Sequence, residues 1–239
     1  MTQSNPTPNS NGTPEPSIPA WPMAILVATI AACSIASYFQ HGLPNLHLPG
    51  LNVRLSGYVT VIAQEWLMFL VIWLAFNRRN LPLSSLVGPR WRSPKTFFQD
   101  LGFAIALTVI TIPIVNVIIY FLNTHTNATV LALTPKSIPE LIVWFVLAWS
   151  AAYAEELVFR GYLQRQFSTW THSAIAGILL QGICFGLAHG FYGKAMLAIM
   201  VHGSLLGFLA QWRKSLLPGM LAHGIQDTLG GVLAYVTKA

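Results

Sequence analysis

Apolar runs separated by short polar stretches fill this chain from about residue 22 to residue 236. We read seven membrane spans in them, at about 22–39, 55–76, 101–122, 138–166, 173–189, 195–211 and 215–236. In hydrocarbon every backbone polar group must be satisfied within the protein, so such runs can only be helices or strands of a closed barrel. Their length selects helices, since a strand needs about 10 residues to cross and a helix about 20. The expected fold class is all-α, a polytopic membrane helical bundle. Composition agrees, with 54% of the 239 residues hydrophobic and 8% charged, where a soluble domain carries about 25% charged residues.

The formal net charge of +6 resembles the footprint of a nucleic-acid binder. The basic residues, however, lie between apolar runs, where they set membrane orientation instead. One side collects Arg78, Arg79, Arg90, Arg92, Lys95, Arg160, Arg165, Arg213 and Lys214, and the other only Arg54, Lys136, Lys194 and Lys238. By the positive-inside rule the N-terminus and the 77–100 loop face the cytoplasm and the C-terminus faces outside. The expected partners are the lipid bilayer and a membrane-associated protein or peptide, with no nucleic acid. The location is integral and multi-pass, in the plasma membrane if the source is prokaryotic.

Residues 1–20 are rich in Pro, Ser, Thr and Asn without Lys or Arg. They read as a disordered tail and lack the basic start of a signal peptide. Ile30-Ala31-Ala32-Cys33 mimics a lipoprotein cleavage site, but no basic flank precedes it and apolar residues follow. Cys33 and Cys184 both fall within apolar runs and read as small apolar residues. Pro113 should kink the third span. Ser137 and Glu140 have the spacing of a capping box at the start of the fourth. Gly182, Gly186 and Gly190, and Gly203 with Gly207, make faces on which helix backbones can approach closely. No repeat suggests an inverted-repeat transporter.

The ionisable residues inside the spans carry the functional signal, because charge in the membrane is costly. Glu155 and Glu156 close the apolar run that begins at Ile138, and Arg160 follows one turn later. Glu156 and Arg160 stand i,i+4 with the acid first, the favourable order for an ion pair. That leaves Glu155 without a local partner, and it is the candidate general base. A solvated helix end would explain both glutamates without any function. Phe185 and His189 share one helix face, as do His223 and Asp227. A lone His189 could be an interfacial residue, whereas a His and an Asp on one face of a span seldom serve packing alone. His202, with no acid one turn away, reads as packed or hydrogen-bonded. His41, His47, His125 and His172 lie in loops or at helix ends and carry no signal. At about 1.5 Å rise per residue, Glu155 and Asp227 lie ~18 Å from the cytoplasmic boundary, His223 ~12 Å and His189 ~25 Å. A shared polar site therefore needs helix tilt or a break near Gly190 to bring His189 level.

Glu155-Glu156-x-x-x-Arg160, Phe185-x-x-x-His189 and His223-x-x-x-Asp227 resemble, in this order, the motifs of the type II CAAX prenyl protease family. That family also contains bacterial bacteriocin-processing and immunity membrane proteases and is often called CPBP or Abi. The resemblance covers about residues 138–236, within a core of 138–239. Residues 21–137, the first three spans, carry no usable motif. It implies an intramembrane endopeptidase acting on a membrane-associated, CAAX-type prenylated or other, protein or peptide. Carried over by motif, Glu155 and His189 would activate water. His223 and Asp227 would orient it or stabilise the oxyanion, and Glu156 with Arg160 would hold the site in shape. The family accepts Asn or Asp at the last position. Asp227 leaves the oxyanion role open, since an ionised carboxylate only accepts hydrogen bonds.

Metal dependence also stays open. Glu155, His189, His223 and Asp227 could supply zinc ligands with a vacant position for water, although the chain lacks His-Glu-x-x-His. Metal-free glutamate chemistry is the expectation, with zinc the second option. Two other function classes compete: a non-catalytic bacteriocin-immunity or partner-binding membrane protein, and a proton-coupled transporter. The intact polar set counts against the first of these and the missing repeat against the second.

Overall fold

The computed structural model describes residues 18–40, 48–124 and 128–237, and among these every regular element is helical. His41, His47, His125 and most of the N-terminal tail fall outside the described residues. The helices are α1 (Trp21–Gln40), α2 (Val53–Asn77), α3 (Ser84–Val87), α4 (Pro94–Phe121), α5 (Ala128–Leu133), α6 (Ile138–Glu155), α7 (Gln164–Thr171), α8 (Ala174–Ala188), α9 (Met196–Arg213) and α10 (Leu217–Thr237). A π-helical segment, Glu156–Leu163, joins α6 to α7, and a 3-10 segment, Gly190–Ala195, leads into α9.

Each predicted span is helical. Val53–Asn77, Pro94–Phe121, Ile138–Thr171 and Gly190–Arg213 are long and apolar enough to cross a membrane, with Trp21–Ala36 and Ala174–Ala188 shorter apolar helices. The polar residues at His223, Gln226 and Asp227 keep α10 off that roster, although its 21 residues reach about 30 Å at 1.5 Å each. Large apolar side chains such as Leu67, Val109, Ile142 and Ile175 remain exposed on the outside of the bundle, where acyl chains rather than protein would cover them.

Local chemistry sets the helix ends. Asn52 accepts a hydrogen bond from Leu55 N at 2.9 Å, and Ser173 accepts from Ala176 N at 3.2 Å. Ser93 and Thr96 form a reciprocal capping box, with Pro94 opening α4. Such caps occupy backbone donors that the first turn leaves free. At α6 only half of the expected capping box forms. Ser137 accepts from Glu140 N, but the Glu140 carboxylate turns to Lys136 N at 2.7 Å and Asn52 Nδ2 at 2.8 Å. Asn52 and the nearby Arg54, 3.6 Å away, draw it across to α2. α4 runs continuously through Pro113.

The centre of the bundle is the π-helical segment, where Leu157, Val158, Phe159, Tyr162 and Leu163 are buried. α6 packs on α2 and α10, and α8 packs on α7 and α9. The small residues act as the sequence suggests. A Cβ on Gly182 would lie 2.9 Å from Met200 O, and one on Gly186 would lie 2.7 Å from Met196 O. α8 and α9 therefore touch backbone to backbone.

Two sequence expectations need correction here. Ile18, Pro19 and Ala20 were assigned to the disordered tail, yet they pack on the bundle. Tyr162 Oη donates to Pro19 O at 2.5 Å, and Gln166 Nε2 donates to Pro19 O at 3.1 Å. Buried side-chain donors thus recruit a stretch whose own composition gives it no reason to fold. Arg160, counted among the orienting charges, is fully buried in an ion pair, so it belongs to the interior and not to a loop. Arg165 is tied to Ser85 O and Leu86 O at 2.8 and 2.9 Å, and Arg213 to Asp100 at 2.9 Å.

Candidate active site

The two adjacent glutamates stand where α6 passes into the π-helical segment. Successive residues of an α-helix diverge by about 100°, so one of two neighbours would ordinarily face away. Here both are buried and both meet the same ring. Glu156 Oε1 lies 3.2 Å from His223 Nδ1, and Glu155 Oε2 lies 3.8 Å from His223 Nε2. π turns occur often at functional sites, and this one carries Glu156 and Arg160 together.

Arg160 Nη1 lies 2.9 Å from Glu156 Oε1. The contact is an ion pair more than an aligned hydrogen bond, because Nη1 meets no acceptor at a hydrogen-bonding angle. Arg160 Nη2 donates to Gly203 O at 3.2 Å, and the guanidinium lies 4.1 Å from the centre of the Phe185 ring. Gln181 Nε2 donates to the same Gly203 carbonyl at 2.8 Å. Glycine at 219 leaves the space Glu156 occupies, since a Cβ there would stand 2.9 Å from Glu156 Oε2.

His223 is the hub. Its Nε2 also faces Asp227 Oδ2, one turn along α10, at 3.4 Å. Both ring nitrogens therefore look at carboxylate oxygens. An imidazolium, which donates from both nitrogens, satisfies that arrangement, while a neutral ring leaves one nitrogen facing an acceptor. Asp227 is the most open of the acids, with 41% of its side chain exposed, and its backbone carbonyl accepts from Trp144 Nε1 at 2.8 Å.

α8 stops at Ala188, and His189 caps it before the 3-10 segment begins at Gly190. The helix break needed to bring His189 to the site is thus present at the expected place. His189 Nδ1 lies 2.8 Å from Phe185 O. A carbonyl can only accept, so the proton sits on Nδ1 and Nε2 of the neutral ring keeps its lone pair. The Phe185 ring packs 4.7 Å from His189 and 6.0 Å from His223, centre to centre. One aromatic ring thus spaces both histidines and covers Arg160.

Glu155, His189, His223 and Asp227 line one cavity of about 280 Å³, walled by α2, α5, α6, α8, the 3-10 segment, α9 and α10. Glu156 and Arg160 stand behind its wall. His202, which the sequence presents as a packed residue, also lines the cavity, 6.4 Å from His223 with Nδ1 unpartnered. Two further residues join that no motif includes: Tyr192 of the 3-10 segment and Glu65 of α2. Glu65 had a sequence signal, a lone carboxylate within the apolar run of the second span, whereas Tyr192 had none. As placed, no three His, Cys, Asp or Glu side chains among the described residues converge to hold a metal ion.

Fold and site define a polytopic helical membrane protein with a buried Glu-His-Asp constellation around one cavity. Residues 137–229 match the family model described as type II CAAX prenyl endopeptidase Rce1-like, which places that region in the family. The uncharacterized protein YpbD of Bacillus subtilis strain 168 is 37% identical over 97 residues, 39% of this chain and 45% of that protein. The chain therefore spans less than half the length of this relative. No solved structure matches. With its apolar helices and this family match, the protein is an integral, multi-pass membrane protein.

Proposed function

We propose that this protein is an intramembrane endopeptidase that hydrolyses a peptide bond of a membrane-associated substrate, a CAAX-type prenylated protein or peptide being the first class to test. The observation that carries the reading is the placement of Glu155 on the cavity beside His223, with the lone pair of His189 Nε2 free on the same cavity.

Glu155 takes a proton from water as the oxygen attacks the scissile carbonyl. His189 Nε2 accepts the second water proton in a hydrogen bond and so orients the nucleophile. His223 keeps Glu155 ionised and lies near enough to support the developing oxyanion. Asp227 holds the His223 ring from its Nε2 side. Glu156 holds it from Nδ1, and Arg160 balances the charge of Glu156. The largely apolar cavity wall, with Tyr58, Leu147 and Phe185, suits a substrate that arrives from lipid. No step here is routed through a metal ion.

The test is cleavage of a panel of prenylated and unmodified peptides by the purified protein in detergent, with and without a chelator. Chelator-insensitive cleavage supports the glutamate mechanism. Failure to cleave any member while the protein binds a membrane partner would favour the non-catalytic reading instead.

A further inference from the structure

Glu65 belongs to the cavity but to none of the motifs, and it lies outside the region 137–229 that the family model matches. It sits in α2, 3% exposed, on the wall that also presents Glu155 and His223. Ser150 of α6 holds it. Ser150 Oγ accepts from Trp66 Nε1 at 2.7 Å, which turns the Ser150 hydroxyl proton toward the Glu65 carboxyl it hydrogen-bonds. Glu65 Oε2 is buried with no hydrogen-bond partner, and so is Glu155 Oε2. Two carboxyl oxygens on one cavity are thus left for something that is neither side chain nor backbone.

The charges around the cavity do not cancel unless one acid is neutral. Arg160 and His223 offset Glu155 and Glu156, which they contact. Asp227 is open enough to be hydrated. Glu65 forms no ion pair with Lys or Arg among the described residues, and its charged neighbours are Glu155, Asp227 and His223. An unpaired carboxylate buried in an apolar span is costly, whereas a carboxylic acid is not, and it gains a proton to donate. Two carboxyl groups in environments this different divide naturally into base and acid.

We propose that Glu65 is a further catalytic residue, a carboxylic acid that protonates the departing amine as the scissile peptide bond breaks. This rests on the endopeptidase reading above. Water gives one proton to the Glu155 carboxylate, and its oxygen bonds to the carbonyl carbon. The carbon–nitrogen bond then breaks as Glu65 passes its proton to the nitrogen, releasing a carboxylic acid and an amine. Glu155 is left protonated and Glu65 ionised. Transfer of the proton from Glu155 to Glu65 through cavity water restores both.

The experiment compares Glu65→Gln with wild-type protein, full length in detergent, on a cleaved peptide and on the matching nitrophenyl ester. The ester's leaving group needs no proton. Glu65→Gln keeps the shape and the Ser150 contact, so it should lower kcat on the peptide by about 10²-fold or more with KM unchanged. Ester hydrolysis should fall far less, and Glu65→Asp, which keeps an acid, should retain more peptide activity than Glu65→Gln. Infrared difference spectra of the same two proteins should show a carboxylic-acid carbonyl band in wild type that the variant lacks. Equal losses on peptide and ester, an unchanged kcat, or no such band each overturn the role of Glu65 while leaving the endopeptidase reading standing. A wild-type protein that cleaves neither substrate overturns the endopeptidase reading itself, and the acid role with it.

Discussion

Replacing Arg160 with alanine should be the most damaging single truncation in the bundle. The side chain is fully buried and makes three contacts that alanine loses together: Glu156 at 2.9 Å, Gly203 O at 3.2 Å and the Phe185 ring at 4.1 Å. Breaking a buried pair by removing one partner costs about 3–5 kcal/mol, because the other charge is left uncompensated. The hydrogen bond adds little, since Gln181 still serves Gly203 O. The cation–π contact, worth about 2 kcal/mol when desolvated, overlaps the same desolvation and is not additive with it. A total of about 4 kcal/mol is a large part of the roughly 5–15 kcal/mol that holds a domain folded. At ~2–4 °C per kcal/mol for a chain of this size, the midpoint in detergent should fall on the order of 10 °C. The paired change Glu156→Leu with Arg160→Met removes both charges and should recover much of that loss, as buried pairs replaced by apolar residues generally do. It should not recover activity, because His223 then loses the partner of its Nδ1. The assay is thermal unfolding of the purified variants in one detergent, alongside peptide cleavage. Arg160→Ala melting with the wild type would refute the burial argument, since only a hydrated pair could be broken without cost.

Three further outcomes follow from the site and the topology. Glu155→Ala and His189→Ala should each insert and melt normally yet lose about 10²-fold or more in peptide cleavage; near-normal turnover in either would remove it from the mechanism. Asp227→Asn should stay active, because an amide at that position still holds the His223 ring and can also donate, while Asp227→Ala should not. Zinc measured at one equivalent in the wild type and lost with activity in Asp227→Asn would instead mark the carboxylate as a metal ligand. A reporter fused after Ala239 should read as outside the cytoplasm; a cytoplasmic signal would reverse the orientation drawn from the loop charges.

The spans were legible because hydrocarbon leaves an apolar run few alternatives, and their limits fell within a few residues of the helices. The pairing of Glu156 with Arg160 was legible from spacing, since i,i+4 neighbours stay close whether the turn is α or π. The π geometry itself was not, because no local residue pattern encodes it. It depends on what α10 and α9 present to the helix. Glu65 was missed for a related reason. The rule that flagged Glu155 applies equally to a lone carboxylate in the second span, but a search for partners one turn away finds none, because its partners come from α6 and α10. His202 was set aside on the same local test, although the cavity it lines is built from other helices. The break at His189 could be anticipated only from depth, as the step that would bring a distant histidine level.

The widened turn at Glu156–Leu163 has a consequence for insertions and deletions. A helix that switches from α to π and back carries extra length without extra height, so its two ends keep independent phases. Upstream, Ala148, Ala151 and Glu155 are set against the cavity; downstream, Gln164 donates to Gly207 O and Phe167 packs into the core. Losing one residue between them would let the segment relax toward regular α-helix and would turn everything after it by about 100°. Tyr162 would swing off Pro19, and Arg165 would swing off Ser85 and Leu86. Single-residue deletions across 156–163 should therefore be far less tolerated than conservative replacements at the same positions, because a deletion changes the phase of the whole second half of the span and a replacement changes one side chain.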